Sequence, residues 1–163
     1  MGLDIVVTNG WLVDGSGAQR RRADIGIKDD RIVEVGRIDA EAALVIDADG
    51  LIVAPGFVDP HSHTDWTLHA NRDAHSTIRQ GVTTEIVGNC GISNAPISDV
   101  SLPAATARLR AHGYDQPPGW RTFGDYLADV EAEGTAQNLA FLVGHRSSCP
   151  SCGPATSPVR SRT

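Results

Sequence analysis

The sequence predicts an α/β protein in which a β-rich opening leads into alternating strand–loop–helix units. Three observations carry that expectation. Short apolar runs in the opening are separated by Asn9-Gly10, Asp14-Gly15-Ser16-Gly17, Asp29-Asp30 and Asp49-Gly50, all turn-forming sequences. The apolar run 51–54 and the pair Phe57-Val58, divided by Pro55-Gly56, empty into a polar stretch ending at Asp65, and a helical stretch is expected a few residues later. Val82–Val87 is rich in β-branched residues and follows Gly81, a natural helix stop.

Taken in order, strands are expected at 4–7, 11–13, 23–28, 31–35 and 43–46, with Asp29-Asp30 turning a hairpin between the third and the fourth. The run Pro55-Gly56-Phe57-Val58-Asp59-Pro60-His61-Ser62-His63 comes next and is the most informative stretch. Side chains alternate faces along an extended backbone, so His61 and His63 emerge on the same side. Two imidazoles aimed at one point past an apolar strand form half of a transition-metal site. Two unrelated loop histidines are the alternative, because His-x-His recurs by chance. Cys90 follows the strand 82–87 and lies between Gly88 and Gly91. If the two strands are parallel neighbours, Cys90 reaches the same rim as the histidines. A thiolate among imidazoles suits zinc better than magnesium or calcium; a small cysteine packed in a core is the alternative.

These residues resemble the amidohydrolase superfamily, and within it the zinc-dependent N-acyl-D-amino-acid deacylases, or D-aminoacylases. The likeness is carried by Pro55-Gly56-Phe57-Val58-Asp59 running into His61-Ser62-His63-Thr64-Asp65, by Gln80-Gly81-Val82-Thr83-Thr84, by Gly88-Asn89-Cys90-Gly91 and by Ala95-Pro96. The stretch 138–145, ending in Gly144-His145, looks like the family's third barrel strand. The first run marks only the superfamily; Gly-Asn-Cys-Gly is more specific, since hydantoinase-like relatives typically bridge their metals with a carboxylated lysine. The only lysine is Lys28, far upstream. The resemblance implies a small N-terminal β-sandwich at 1–54 and, at 55–145, the first three βα units of a metal-dependent (β/α)₈ amidohydrolase barrel, incomplete in this chain. It also implies His61, His63 and Cys90 as zinc ligands, Asp65 as a supporting acid, and His145 as either a substrate-facing or a structural histidine. His69, His75 and His112 are not expected to join them.

Between the second and third barrel strands, helices are expected at 102–112, after Pro103, and at 122–133, where Phe123, Tyr126, Leu127 and Val130 form an apolar stripe. Thr122 with Asp125 resembles an N-cap and Gly134 a stop. The stripe reads as core, and these helices place no chemistry.

A complete barrel takes about 250 residues, and the chain has 163. It therefore reads as the N-terminal part of a larger enzyme, with the general-base aspartate and the remaining histidine ligands that the resemblance implies lying on later strands. The chain alone is expected to be inactive. From 146 to 163 it turns rich in Pro, Ser and Arg, has no acidic residue, and reads as an aberrant or disordered tail in which the family likeness has stopped at about His145. Cys149-Pro150-Ser151-Cys152, among prolines and serines, reads as accidental.

The net charge of −6 argues against a nucleic-acid surface. No run approaches a membrane span, the first residues do not form a signal peptide, and three cysteines do not make a disulfide framework, so a cytoplasmic setting is expected. The family resemblance implies a small N-acyl amino acid as partner and, as reaction, hydrolysis of a linear, non-peptide C–N amide bond. Two alternatives stay open on the sequence: a non-catalytic module that merely inherits the motifs, and an amidohydrolase acting on cyclic amides.

Overall fold

The computed structural model describes residues 2–148. The chain divides into two compact units between Pro55 and Gly56. The first holds seven strands: β1 (Leu3–Thr8), β2 (Trp11–Leu12), β3 (Arg21–Arg22), β4 (Asp24–Lys28), β5 (Arg31–Gly36), β6 (Ala42–Asp47) and β7 (Ile52–Val53). One sheet has the order β5-β4-β1-β6, with β1 antiparallel to β4 and parallel to β6; a second has the order β3-β2-β7. The strand Arg21–Arg22 was not anticipated; at two residues it is too short to leave an alternation in the sequence. Ile52–Val53 is the strand within the apolar run at 51–54. An apolar cluster of Leu12, Ala23 and Ile25, flanked by Val7, Ile27 and Val53, fills the unit. The hairpin between β4 and β5 turns at Asp29 and Asp30, both at positive φ (48° and 60°), as the tight turn favoured by strand twist requires. Asp4 Oδ2 accepts the Asp29 N–H at 2.8 Å and so satisfies a donor that the turn exposes.

The second unit is built on a parallel sheet of order β10-β9-β8, formed by β8 (Phe57–Asp59), β9 (Val82–Val87) and β10 (Asn138–Phe141). Because all three strands run the same way, the loops leaving β8 and β9 open on one rim. Helices α1 (His75–Ile78), α2 (Leu102–Ala111), α3 (Phe123–Glu133) and α4 (His145–Ser148) complete it. The core is Leu68, Ala95, Ile97, Ala105, Leu109, Trp120, Tyr126 and Val130. The α3 stripe is thus core. Thr122 and Asp125 close a capping box of 3.0 and 3.1 Å bonds at its start, and Gly134 ends it. On the outer strand β8, Phe57 and Val58 are 61% and 60% exposed, so this small sheet leaves apolar surface uncovered. Among the described residues, no helix is long and apolar enough to cross a membrane.

Two expectations are corrected here. After Asp65 the chain forms no continuous helix, only a 3₁₀ turn (Thr64–Trp66) and, later, the single turn of α1. Leu68 and Ala74 are drawn fully into the core with Asn71-Arg72-Asp73 turning between them, and burial at that spacing overrides a regular helical period. Residues 146–148, placed by sequence at the start of an unstructured tail, instead continue a helical turn that begins at His145. Arg146 N–H donates to the Gly91 carbonyl at 2.9 Å, and Ser147 Oγ donates to the Ser93 carbonyl at 2.9 Å. The rest of the predicted tail, including Cys149 and Cys152, lies outside the described residues.

His69 is packed into the aromatic core. Its ring stacks on Trp120 at 4.5 Å, and Nε2 lies 2.8 Å from Asp129 Oδ2. Burial lowers its pKa below the ordinary 6.5, although Asp129 pulls the other way. A depressed folded pKa means the unfolded chain binds the proton more readily, so the contribution of His69 is present above pH 6.5 and is lost as pH falls through that value. His69 therefore makes acidification from pH 7 to about 5.5 more destabilising, and the unfolding midpoint of a His69→Gln chain is expected to respond less unfavourably to that change than the parent's. Equal pH profiles for the two chains would contradict this.

Candidate metal centre

The loop after β8 is held from three directions. Asp59 Oδ1 accepts the His61 N–H at 2.9 Å. Ser62 N–H donates to the Ile86 carbonyl at 3.0 Å, continuing the strand pairing past β8. The Asn89 side-chain amide donates both to the Ser62 carbonyl (3.2 Å) and to the Ile86 carbonyl (2.7 Å), so the residue next to Cys90 ties the two loops together. Cys90 itself is left-handed (φ 56°), between Gly88 (φ 80°) and Gly91 (φ 75°). A side chain on Gly88 has no room: its Cβ would lie 2.1 Å from the Leu142 carbonyl oxygen.

These constraints bring His61, His63 and Cys90 together, with one ligand atom from each lying within 4.8 Å of the others. Cys90 Sγ is 3.4 Å from His61 Nε2, and the two imidazole rings meet edge to face at 5.7 Å. Cys90 and His61 are exposed on the rim and His63 is half-buried. The donor set fits zinc. An ion at about 2.1 Å from an imidazole nitrogen and about 2.3 Å from a thiolate, in a tetrahedron, sets those donors about 3.6 Å apart, close to the observed separation. His63 Nδ1, moreover, is buried without a hydrogen-bond partner among the described residues. One thiolate with two imidazoles is a borderline-soft set, which disfavours the hard ions magnesium and calcium.

Asp65 lies behind this rim and is 1% exposed. Its carbonyl accepts from the Asn94 side chain at 2.5 Å. Burial pushes its carboxyl up to about 6, while main-chain hydrogen bonds at Asp65 and Gly88 and the charge of Arg108 pull it back. His145 is exposed at the first position of α4. His75 is exposed beside Asp73, and His69 belongs to the core, so neither stands in the cluster. His112 was read as the end of a surface helix, yet its ring packs at 5.5 Å on Trp66, which packs at 4.9 Å on His63. Arg108 covers the same indole at 5.8 Å. Sequence reasoning passed over Trp66 and Arg108, and also Glu85, a fully buried carboxylate on β9. For Trp66 and Arg108 no local spacing gave a signal; for Glu85, the one charge inside an otherwise β-branched strand did.

Residues 44–153 match the model of the amidohydrolase family. The chain belongs to that family. The match runs past His145, where the likeness was expected to stop. A D-aminoacylase of Alcaligenes xylosoxydans xylosoxydans is 43% identical over 143 residues, covering 87% of this chain and 29% of that amidohydrolase. Among solved structures, the N-acyl-D-glutamate deacylase of Bordetella bronchiseptica, complexed with zinc and a phosphonate mimic of the tetrahedral intermediate, aligns with a TM-score of 0.74 at 37% identity, over 90% of this chain and 30% of that one. A D-aminoacylase variant in complex with copper aligns with a TM-score of 0.76 at 39% identity, over 89% and 30%. The chain spans about 30% of the length of these amidohydrolases.

Proposed function

We propose that this chain carries the metal-ligating portion of a zinc-dependent deacylase that hydrolyses the amide of N-acyl-D-amino acids. In this reading residues 1–54 begin a β-sandwich and residues 55–145 supply the first three βα units of the barrel. The single observation behind it is the convergence of His61, His63 and Cys90 from two adjacent parallel strands; the similarity to D-aminoacylases supports it. When bound, zinc supplies Lewis acidity, acidifying water and polarising an amide carbonyl.

The chain's own residues do the rest of what is proposed. His61 and His63 present imidazole lone pairs and Cys90 a thiolate, whose charge offsets part of the ion's. Asn89 keeps the two loops in register, and Asp65, through its backbone, steadies the turn after His63. The exposure of His61 and Cys90 leaves the rim open to a small substrate, and His145, at the start of α4, is the proposed contact on the substrate side.

The test has two parts. The purified chain is expected to bind zinc without turning over substrate. A chimera in which residues 1–148 replace the matching segment of the Alcaligenes D-aminoacylase is expected to hydrolyse N-acetyl-D-amino acids in preference to their L forms and to cyclic amides. A chimera that prefers dihydrouracil, or a chain that takes up no zinc, would overturn the reading.

A further inference from the structure

We infer that Glu85 is a positioning residue, holding the loop that bears His61 and His63 in its ligand-ready conformation; this rests on the zinc reading above. Glu85 is fully buried in the middle of β9, a strand whose other inward residue, Val87, is apolar. A valine at position 85 would serve the sheet and its packing equally well. Burying a carboxylate is costly unless its lone pairs find donors, so the partners of Glu85 indicate its use.

Two of the three partners belong to the ligand loop. Oε1 accepts from Ser62 Oγ at 2.8 Å and from Thr64 Oγ1 at 2.6 Å. Ser62 Oγ in turn accepts the Thr64 N–H at 3.2 Å. Ser62 and Thr64 alternate with His61 and His63, so one carboxylate oxygen anchors the back of the segment whose front presents both imidazoles. Oε2 accepts from Gln137 Nε2 at 2.8 Å, just before β10, which fixes the carboxylate from the flank of β9 away from β8. Among the described residues no lysine or arginine forms an ion pair with it. All three donors named are neutral, and the arrangement is one of directed hydrogen bonds, not of charge pairing.

The experiment measures zinc affinity by chelator competition, with the ligand-field spectrum of the cobalt-loaded chain, in Glu85→Leu, Glu85→Gln, the double variant Ser62→Ala with Thr64→Val, and the triple variant that adds Glu85→Leu. Glu85→Leu and the Ser62/Thr64 double are each expected to weaken zinc by about 10- to 100-fold. The triple should lose no more than either, because the groups act through one another. Glu85→Gln should stay within about threefold, since a carboxamide oxygen can accept from both hydroxyls and Gln137 can turn its own amide to accept. If Glu85→Leu does not fold, the Ser62/Thr64 double, judged by an unchanged far-ultraviolet spectrum, decides alone. Folded variants with unchanged zinc affinity and only a lower melting point would overturn the role, as would additive losses. A Glu85→Gln loss as large as that of Glu85→Leu would also overturn it, because charge would then be acting in place of geometry. A parent chain that binds no zinc removes the metal reading, and the positioning role with it; a parent that binds alongside variants that bind equally well removes only the latter.

Discussion

Cys90→Ala is expected to weaken zinc binding by more than about 100-fold, since even loss of a group that only supports a ligand costs 10- to 100-fold. Cys90 contributes the single thiolate of the cluster, 3.4 Å from His61 Nε2. Two imidazoles alone, one of them exposed and the other half-buried, compete poorly with water for the ion. The substitution should leave the metal-free fold intact, because Cys90 is exposed and alanine keeps the same backbone demand at φ 56°. Chelator competition and the melting point of the metal-free chain give the two readouts. An affinity within threefold of the parent would place the metal elsewhere.

Gly88→Ala is expected to be the most destabilising single methyl in the second unit. The left-handed backbone at φ 80° by itself costs a non-glycine residue about 1–2 kcal/mol. Here the added Cβ would also lie 2.1 Å from the Leu142 carbonyl oxygen, a backbone atom that cannot swing aside. Leu142 N–H donates to the Val87 carbonyl at 2.9 Å, so moving it unzips the end of β10 from β9. A melting-point loss of roughly 6–12 °C follows from a total near 3 kcal/mol, together with weaker zinc binding because Cys90 lies two residues on. Gly15 provides the control: its φ is also 80°, but nothing lies within 4 Å of an added Cβ. Gly15→Ala should show only the backbone part, and equal losses at the two positions would contradict the packing argument.

The convergence of His61, His63 and Cys90 was legible because its logic is local. His61 and His63 share a face by strand alternation, and Val82–Val87 delivers Cys90 to the same rim once the strands are parallel neighbours. The Asp29-Asp30 hairpin and the Thr122 cap were legible for the same reason, since each signal lies within a few residues of its effect. What escaped depends on tertiary placement. Ser62, Thr64 and Gln137 stand 23, 21 and 52 residues from Glu85 in sequence, and no periodicity links them. Trp66 matters because α2 brings Arg108 and His112 onto it. The helix expected after Asp65 failed because Leu68 and Ala74 are buried at a spacing no single helix face supports. The turn at 145–148 failed because its bonds run to Gly91 and Ser93, on the far side of two helices.

If His61, His63 and Cys90 hold one ion together, X-ray absorption at the zinc edge of the loaded chain reads all of its ligands at once. One zinc per chain is expected, with one sulfur at about 2.3 Å and nitrogen scatterers with imidazole character at about 2.0–2.1 Å, the sulfur shell vanishing in Cys90→Ala. A shell of oxygen and nitrogen alone in the parent chain would contradict the shared site.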